Sequence, residues 1–213
     1  MKDLLEEQKR YYAARAPEYD DWWHRRGRYE LEPEALVRWH ADIAEADAAL
    51  EAFAPHGSVL ELAAGTGLWT RKLVRLVDRV VAVDANGETL ALNTDEAELV
   101  VADVFEWESP EKFDVVFFSF WLSHVPGERL DDFWAVVRSA LAPAGRIFLV
   151  DNNVSGDPVH RGRNPVGSGV ERRRLYDGRE FDIVKHYRGP ADFPHLDLRI
   201  TANGHFIYGG GRP

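Results

Sequence analysis

Residues 58–70 read Ser58-Val59-Leu60-Glu61-Leu62-Ala63-Ala64-Gly65-Thr66-Gly67-Leu68-Trp69-Thr70. The first five are mostly apolar and bounded by turn signals, which predicts a short buried parallel strand. Gly65 and Gly67 let the backbone turn sharply and come close to a ligand, because no Cβ intervenes. From Leu68 onward the chain suits a helix, whose first N–H groups lack intrahelical partners and point back at the turn. Strand, glycine turn and helix in this order make a seat for a nucleotide-like cofactor. Gly-x-Gly alone does not say which one.

Beyond this seat, strand and helix signals alternate. Strands are predicted over Arg79–Val83, Leu99–Ala102, Phe113–Phe118 and Arg146–Val150, helices over Glu88–Asn93 and Arg129–Leu141, and a turn at Pro143-Ala144-Gly145. Leu130, Phe133, Trp134, Val137 and Leu141 fall on one face of the second helix. Such alternation implies an α/β chain with a doubly wound parallel sheet. Asn152 to Gly169 is rich in Gly, Pro, Asn and Arg and reads as a mobile loop. Arg173–Tyr176 and Arg179–Tyr187 read as a hairpin about Asp177-Gly178, a pair that supports a type I′ turn. Leu196–Thr201 and His205–Tyr208, joined by Asn203-Gly204, read as a second antiparallel pair that finishes the sheet. Before the seat, Glu34–Phe53 carries an apolar stripe through Trp39, Ile43, Ala46 and Leu50 and is a helix. Leu4, Leu5, Gln8, Tyr11, Tyr12 and Arg15 also recur at helical spacing, ahead of Pro17, which ends or kinks that helix.

Asp84 ends the second strand at the distance from the glycine turn where a carboxylate accepts hydrogen bonds from ribose hydroxyls. Both NAD and S-adenosylmethionine would be served. Three features favour the second. Leu68-Trp69-Thr70 stand where a dinucleotide fingerprint wants a third glycine, Glu61 before the turn matches a cationic amino-acid tail, and Asp103-Val104-Phe105 can take an adenine amino proton between apolar neighbours. Singly, Asp103 would be an ordinary helix N-cap and Asp84 a turn former.

With these motifs in place, the chain resembles the class I S-adenosylmethionine-dependent methyltransferases of the small, stand-alone bacterial type. The resemblance rests on Glu61-Leu62-Ala63-Ala64-Gly65-Thr66-Gly67, Val83-Asp84-Ala85, Ala102-Asp103-Val104, Phe113-Asp114-Val115-Val116 and Leu141-Ala142-Pro143-Ala144-Gly145-Arg146. It implies a Rossmann-like, seven-stranded, mostly parallel sheet with an antiparallel last strand and an N-terminal helical lid. It also implies roles. Ala63, Gly65 and Gly67 would line the methionine and ribose part, and Asp84 would hold the ribose hydroxyls with Ala85 beside them. Asp103 and Val104 would read the adenine, and Ser119 and Phe120 would pass under the sulfonium. Tyr11, Tyr12, Arg15 and Tyr19 resemble a cofactor-covering helix whose arginine pairs with the cofactor carboxylate; the alternative is a helix packed on the sheet. Relatives usually carry a full helix where only Gly189-Pro190-Ala191-Asp192-Phe193-Pro194 remains. That departure leaves one face thinly covered, covered by a partner chain, or filled by the N-terminal helix.

The acceptor is less legible. Methyl transfer from a sulfonium is an in-line displacement, which needs alignment and, for some acceptors, a base. His124, on the loop after the fourth strand, is either that base or a residue that hydrogen-bonds backbone and orients the loop. Trp121 stacks an acceptor, holds a cation or packs the core, and Asp151 is a loop-entry or pocket-wall residue. Asp151-Asn152 resembles half of a metal-dependent site, but Ser119 stands where a further carboxylate would be, so the reading is metal-independent. His160, Arg161, Arg163, Arg172, Arg173 and Arg174 either cap a substrate carboxylate or phosphate or form a solvated surface.

Composition bounds the rest. The chain has 213 residues, 36 acidic against 26 basic for a net charge of −10, and no cysteine. A single domain is expected, with 1–54 as helical cap, 55–151 as cofactor half and 152–213 as substrate loop, hairpin and terminal strands. The acidic balance argues against nucleic-acid or anionic-membrane partners, and the charged start lacks a signal-peptide core. The expectation is a cytoplasmic monomer or homodimer that transfers a methyl group to an oxygen or nitrogen of a small molecule, releasing S-adenosylhomocysteine. The alternatives are a non-catalytic cofactor-binding or scaffolding protein, suggested by the shortened helix, and a nicotinamide oxidoreductase.

Overall fold

The computed structural model describes residues 2–153, 165–167 and 169–213. Its strands are β1 (Ser58–Leu62), β2 (Arg79–Asp84), β3 (Glu98–Val101), β4 (Phe113–Ser119), β5 (Leu141–Asn152), β6 (Pro165–Gly167), β7 (Val170–Arg174), β8 (Glu180–Val184), β9 (Asp197–Ile200) and β10 (Phe206–Gly211). Seven of them form one sheet in the order β3-β2-β1-β4-β5-β10-β9, and β6, β7 and β8 form a second. Strands β1 to β5 are parallel, while β10 runs antiparallel to both β5 and β9. The helices are α1 (Lys2–Arg15), α2 (Tyr19–Trp23), α3 (Pro33–Phe53), α4 (Thr70–Leu73), α5 (Gly87–Leu90) and α6 (Leu130–Ala140).

The large sheet is buried on both faces because successive side chains of its strands point to opposite sides. Leu60, Leu62, Val116, Phe118, Ile147 and Leu149 pack on one face against Phe133, Trp134 and Val137 of α6. Val59, Val115, Phe117, Phe148 and Val150 pack on the other against Trp39 and Leu50 of α3 and Trp22 and Trp23 of α2. These inward sets read in the sequence as unbroken apolar runs, which is what a doubly covered parallel sheet requires.

Two local expectations change, and the short turn expected over residues 189–194 is present. Leu141 pairs with Phe113 and Arg146 with Val115, so β5 starts early and the turn at Pro143-Ala144-Gly145 becomes an irregularity inside it. The Asp177-Gly178 turn is not type I′, which needs positive φ at both central residues. Gly178 has φ +89° and Asp177 does not share that region, and Leu175 N–H closes a three-residue loop on Arg179 O at 2.9 Å. Finally, residues 189–194 hold one 3₁₀ turn, Pro190–Asp192, pinned where Gly189 N–H donates to the Asp192 carboxylate at 2.7 Å. Phe193, 3% exposed, fills the place of the absent helix, edge-on to Trp134 with ring centroids 5.6 Å apart.

Helix α1 does not fill that gap. It docks on the small sheet, where Asp182 N–H donates to Glu7 at 2.9 Å and Val184 N–H to Gln8 at 3.0 Å. The mobile-loop expectation spanned residues 152–169; Asn152 ends β5 and Pro165–Gly167 form β6, which corrects it there, while residues 154–164 and 168, with His160, Arg161 and Arg163, lie outside the described residues. Among the described residues no helix is long and apolar enough to cross a membrane.

Candidate active site

Two non-glycine residues leave the ends of adjacent parallel strands with positive φ: Ala63 after β1 (+54°) and Phe120 after β4 (+51°). L-residues seldom adopt this region, and such strain gathers at ligand sites. Both bends fall where α/β sheets bind ligands, at the carboxyl ends of their strands. The cavity there has a volume of about 410 Å³. Ala63, Gly65, Asp84, Ala85, Asp103, Val104, Ser119 and Phe120 line it from the sheet side, and Leu5, Gln8, Lys9, Tyr12 and Tyr19 from the N-terminal helices.

Asp84 accepts Gly65 N–H at 3.0 Å on one oxygen and Asn86 N–H at 2.8 Å on the other. Burial pushes its pKa up, against the pull of those donors. Asp103 accepts Phe105 N–H at 2.9 Å and faces Lys9 of α1 at 2.7 Å. Phe105 and Trp121 stand beside each other on the same wall, ring centroids 6.1 Å apart. Two carboxylates with lone pairs to spare, a glycine cradle and an apolar flank fit the diol, the adenine amino group and the ring of an adenosine.

Four residues expected at the cofactor lie elsewhere. Glu61 is 1% exposed beneath α4, accepts the Thr70 hydroxyl at 2.5 Å, and is pushed by burial up to about 8. It does not line the cavity. Gly67 holds φ +87°, a Cβ there would also meet Asn93, and the residue does not line the cavity. Tyr11 and Arg15 line a different, smaller cavity. Asp151, expected on the pocket wall, lines neither cavity. It is 2% exposed and takes both Ser123 N–H and Ser123 O–H at 2.8 Å, which anchors the turn carrying His124.

The smaller cavity, about 50 Å³, touches the larger one at Tyr12, Tyr19, Phe120 and His124, which line both. Its other walls include Arg15, Tyr29, Asn152, Arg173 and Lys185. Arg15 is 8% exposed, has no hydrogen-bond partner at Nε among the described residues, and lies over the rings of Tyr19, Tyr11 and Tyr29 at 4.9, 5.7 and 6.0 Å. Lys185, 5% exposed, donates to Ser123 Oγ at 2.7 Å, and desolvation pushes its pKa down to about 8. Arg173 has a neighbouring carboxylate, Glu171, at 2.6 Å. Three basic side chains thus line one small space, where Glu171 pairs with Arg173 and the charges of Asp151 and Glu171 act on Lys185; burying charge is costly unless it is paired.

His124 stands between the cavities. Its Nδ1 lies 2.8 Å from Val184 O, and a carbonyl only accepts, so Nδ1 carries the proton. Nε2 is then the acceptor, and Tyr12 O–H donates to it at 2.8 Å. Burial, followed by the charge of Lys185, holds its pKa well below the ordinary histidine value. The base role expected of His124 meets a neutral ring whose two nitrogens are both engaged.

Sequence reasoning passed over Lys9 and Lys185 as site residues, and weighed Asn152 only as half of a metal-ligand pair. Lys185 had a signal: with Ile183 and Phe181 it occupies alternate positions of one strand, and a lysine in an apolar row points inward.

A family model described as a methyltransferase domain matches residues 59–145. The solved complex of DhpI with SAM and HEP is 36% identical over 99% of this chain and 98% of its own, with a TM-score of 0.79. The chain belongs to the class I S-adenosylmethionine-dependent methyltransferases. A DhpI complex with SAH matches equally, at 36% identity and a TM-score of 0.78 over 100% of this methyltransferase and 98% of DhpI. The Burkholderia thailandensis 1,6-didemethyltoxoflavin-N1-methyltransferase, at 16% identity and a TM-score of 0.65 over 99% of this chain and 89% of its own, shares the fold. Curated protein sequences give no match. S-adenosylmethionine is thus the cofactor and the nicotinamide reading falls. Among the described residues no group of three His, Asp or Glu side chains is placed to hold a metal ion.

Proposed function

We propose that this methyltransferase esterifies a small organic acid, methylating an oxygen of the anion that Arg15, Arg173 and Lys185 hold. The acid group is a carboxylate or a phosphoryl oxyanion. The cofactor, when bound, supplies an electrophilic methyl group on a sulfonium. In this reading Asp84 holds the ribose diol and Asp103 the adenine amino group. Ala63, Gly65, Ala85, Val104, Ser119 and Phe120 shape the seat, and Tyr19 closes it.

The observation that carries the reading is the cationic cavity sharing a wall with the cofactor cavity. Its volume of about 50 Å³ suits a group of a few heavy atoms, so the acid group itself would lie nearest the shared wall. An oxyanion is already a nucleophile and needs no base, which agrees with the engaged, neutral His124 and with metal-independent transfer. What Arg15, Arg173 and Lys185 contribute is orientation, since alignment of reactants lowers barriers by roughly 7–11 kcal/mol in well-oriented systems. The complex of DhpI with SAM and HEP together supports the binding of a second ligand beside the cofactor.

The test separates acceptor from cofactor. Arg15→Met and Lys185→Met should each raise the acceptor KM about 10–100-fold, the worth of a lost charged hydrogen bond. The dissociation constant of S-adenosylmethionine, measured by calorimetry, should hardly move. An unchanged acceptor KM in both variants would sink the anion reading.

A further inference from the structure

We infer that the Tyr12 hydroxyl oxygen faces the reactive methyl group of the bound cofactor, and that His124 is the positioning residue that fixes it there. The inference begins with a proton count. His124 Nδ1 spends its proton on Val184 O at 2.8 Å, so Nε2 offers only a lone pair, and Tyr12 spends its own proton there, also at 2.8 Å. Lys185 Nζ lies farther from the same Nε2, at 3.4 Å, and donates instead to Ser123 Oγ at 2.7 Å, which leaves the single Nε2 lone pair to Tyr12. Tyr12 therefore shows the space around it lone pairs and no proton. Its phenol stays un-ionised, because burial raises its pKa well above the ordinary tyrosine value.

Tyr12 and His124, which this hydrogen bond joins, each line both cavities. On one side are Arg15, Arg173 and Lys185. On the anionic-acceptor reading, whose outcome this inference partly rests on, that side holds an oxyanion, which lone pairs repel. The other side is the cofactor cavity, where the only electron-poor group of S-adenosylmethionine that must approach the acceptor is the sulfonium methyl. Its C–H bonds are polarised by the positive sulfur and make C–H···O contacts to such an oxygen. The same contact would hold the methyl on the line toward the smaller cavity. Helix α1 fixes the arrangement, since Gln8 both donates to His124 O at 3.3 Å and accepts Val184 N–H at 3.0 Å, while Thr89 O–H donates to Tyr12 O at 3.4 Å.

The experiment compares S-adenosylmethionine with S-adenosylhomocysteine, which lacks the methyl and the charge. By calorimetry without acceptor, Tyr12→Phe should weaken S-adenosylmethionine about two- to fivefold and leave S-adenosylhomocysteine within error. An equal loss for both ligands, or none for either, would overturn the inference. Because no acceptor is present, this outcome is independent of whether the acceptor is an anion. A second measurement uses the unaltered protein: the methyl protons of bound, ¹³C-methyl-labelled S-adenosylmethionine should move downfield of the free ligand. His124→Phe should reduce that shift with Tyr12 still in place. No downfield shift in the unaltered protein contradicts the role of Tyr12, and an undiminished shift in His124→Phe contradicts that of His124.

Discussion

Lys185 shows how a single buried group ties folding to function. Desolvation favours its neutral form, so the folded protein gives up this proton at about 8, whereas the unfolded lysine keeps it to about 10.5. Between those values the unfolded state binds more protons, so this group makes stability rise with pH across that window. Below about 8 the lysine is charged in both states, and the folded chain carries the full desolvation cost. Acceptor binding has the opposite sign, because an anion pairs with the charged form. The acceptor KM should therefore climb as pH rises through about 8, while Lys185→Met should show a high KM without that inflection. A flat profile in the unaltered enzyme would remove Lys185 from the acceptor site. None of this was visible in composition, since a net charge of −10 hides three cations that share one small cavity.

At the scale of elements, the glycine turn and the strand ends were legible because they obey local rules. Apolar runs of strand length ended in Asp84 and Asp103, and both carboxylates line the cofactor cavity. Glu61 and Gly67 sit among packing contacts that spacing does not show: the Thr70 hydroxyl, nine residues on, bonds Glu61, and Asn93 crowds Gly67. The same holds for Tyr11 and Arg15. Helical spacing put them on α1, but which cavity they line depends on the small sheet beneath that helix, and nothing local encodes its position. The shortened segment at residues 189–194 is the clearest case. One ring, Phe193, takes the place of a helix, so Phe193→Ala should cost about 3–5 kcal/mol and lower the thermal midpoint accordingly. A loss under about 1 kcal/mol would mean that the segment is peripheral and that the covering of this face has been misread.

Across the whole molecule, a buried sheet offers one cavity for the cofactor, and α1 with the β7–β8 hairpin builds a second against it. The first cavity follows from the parallel strands, which is why sequence and structure agree on it. The second depends on where a helix and a hairpin far apart in the chain meet, and its chemistry appears only once Arg15, Arg173 and Lys185 are seen together. The most direct test is the product itself. Purified enzyme with labelled S-adenosylmethionine is offered small carboxylic acids, phosphoryl oxyanions, and neutral and cationic amines and alcohols of matching size, and products are read by mass spectrometry. The expected result is a methyl ester formed from an oxyanion, with an equal amount of S-adenosylhomocysteine, and no product from neutral or cationic acceptors. Methylation of an amine or neutral alcohol, with every acid inert, would contradict the account.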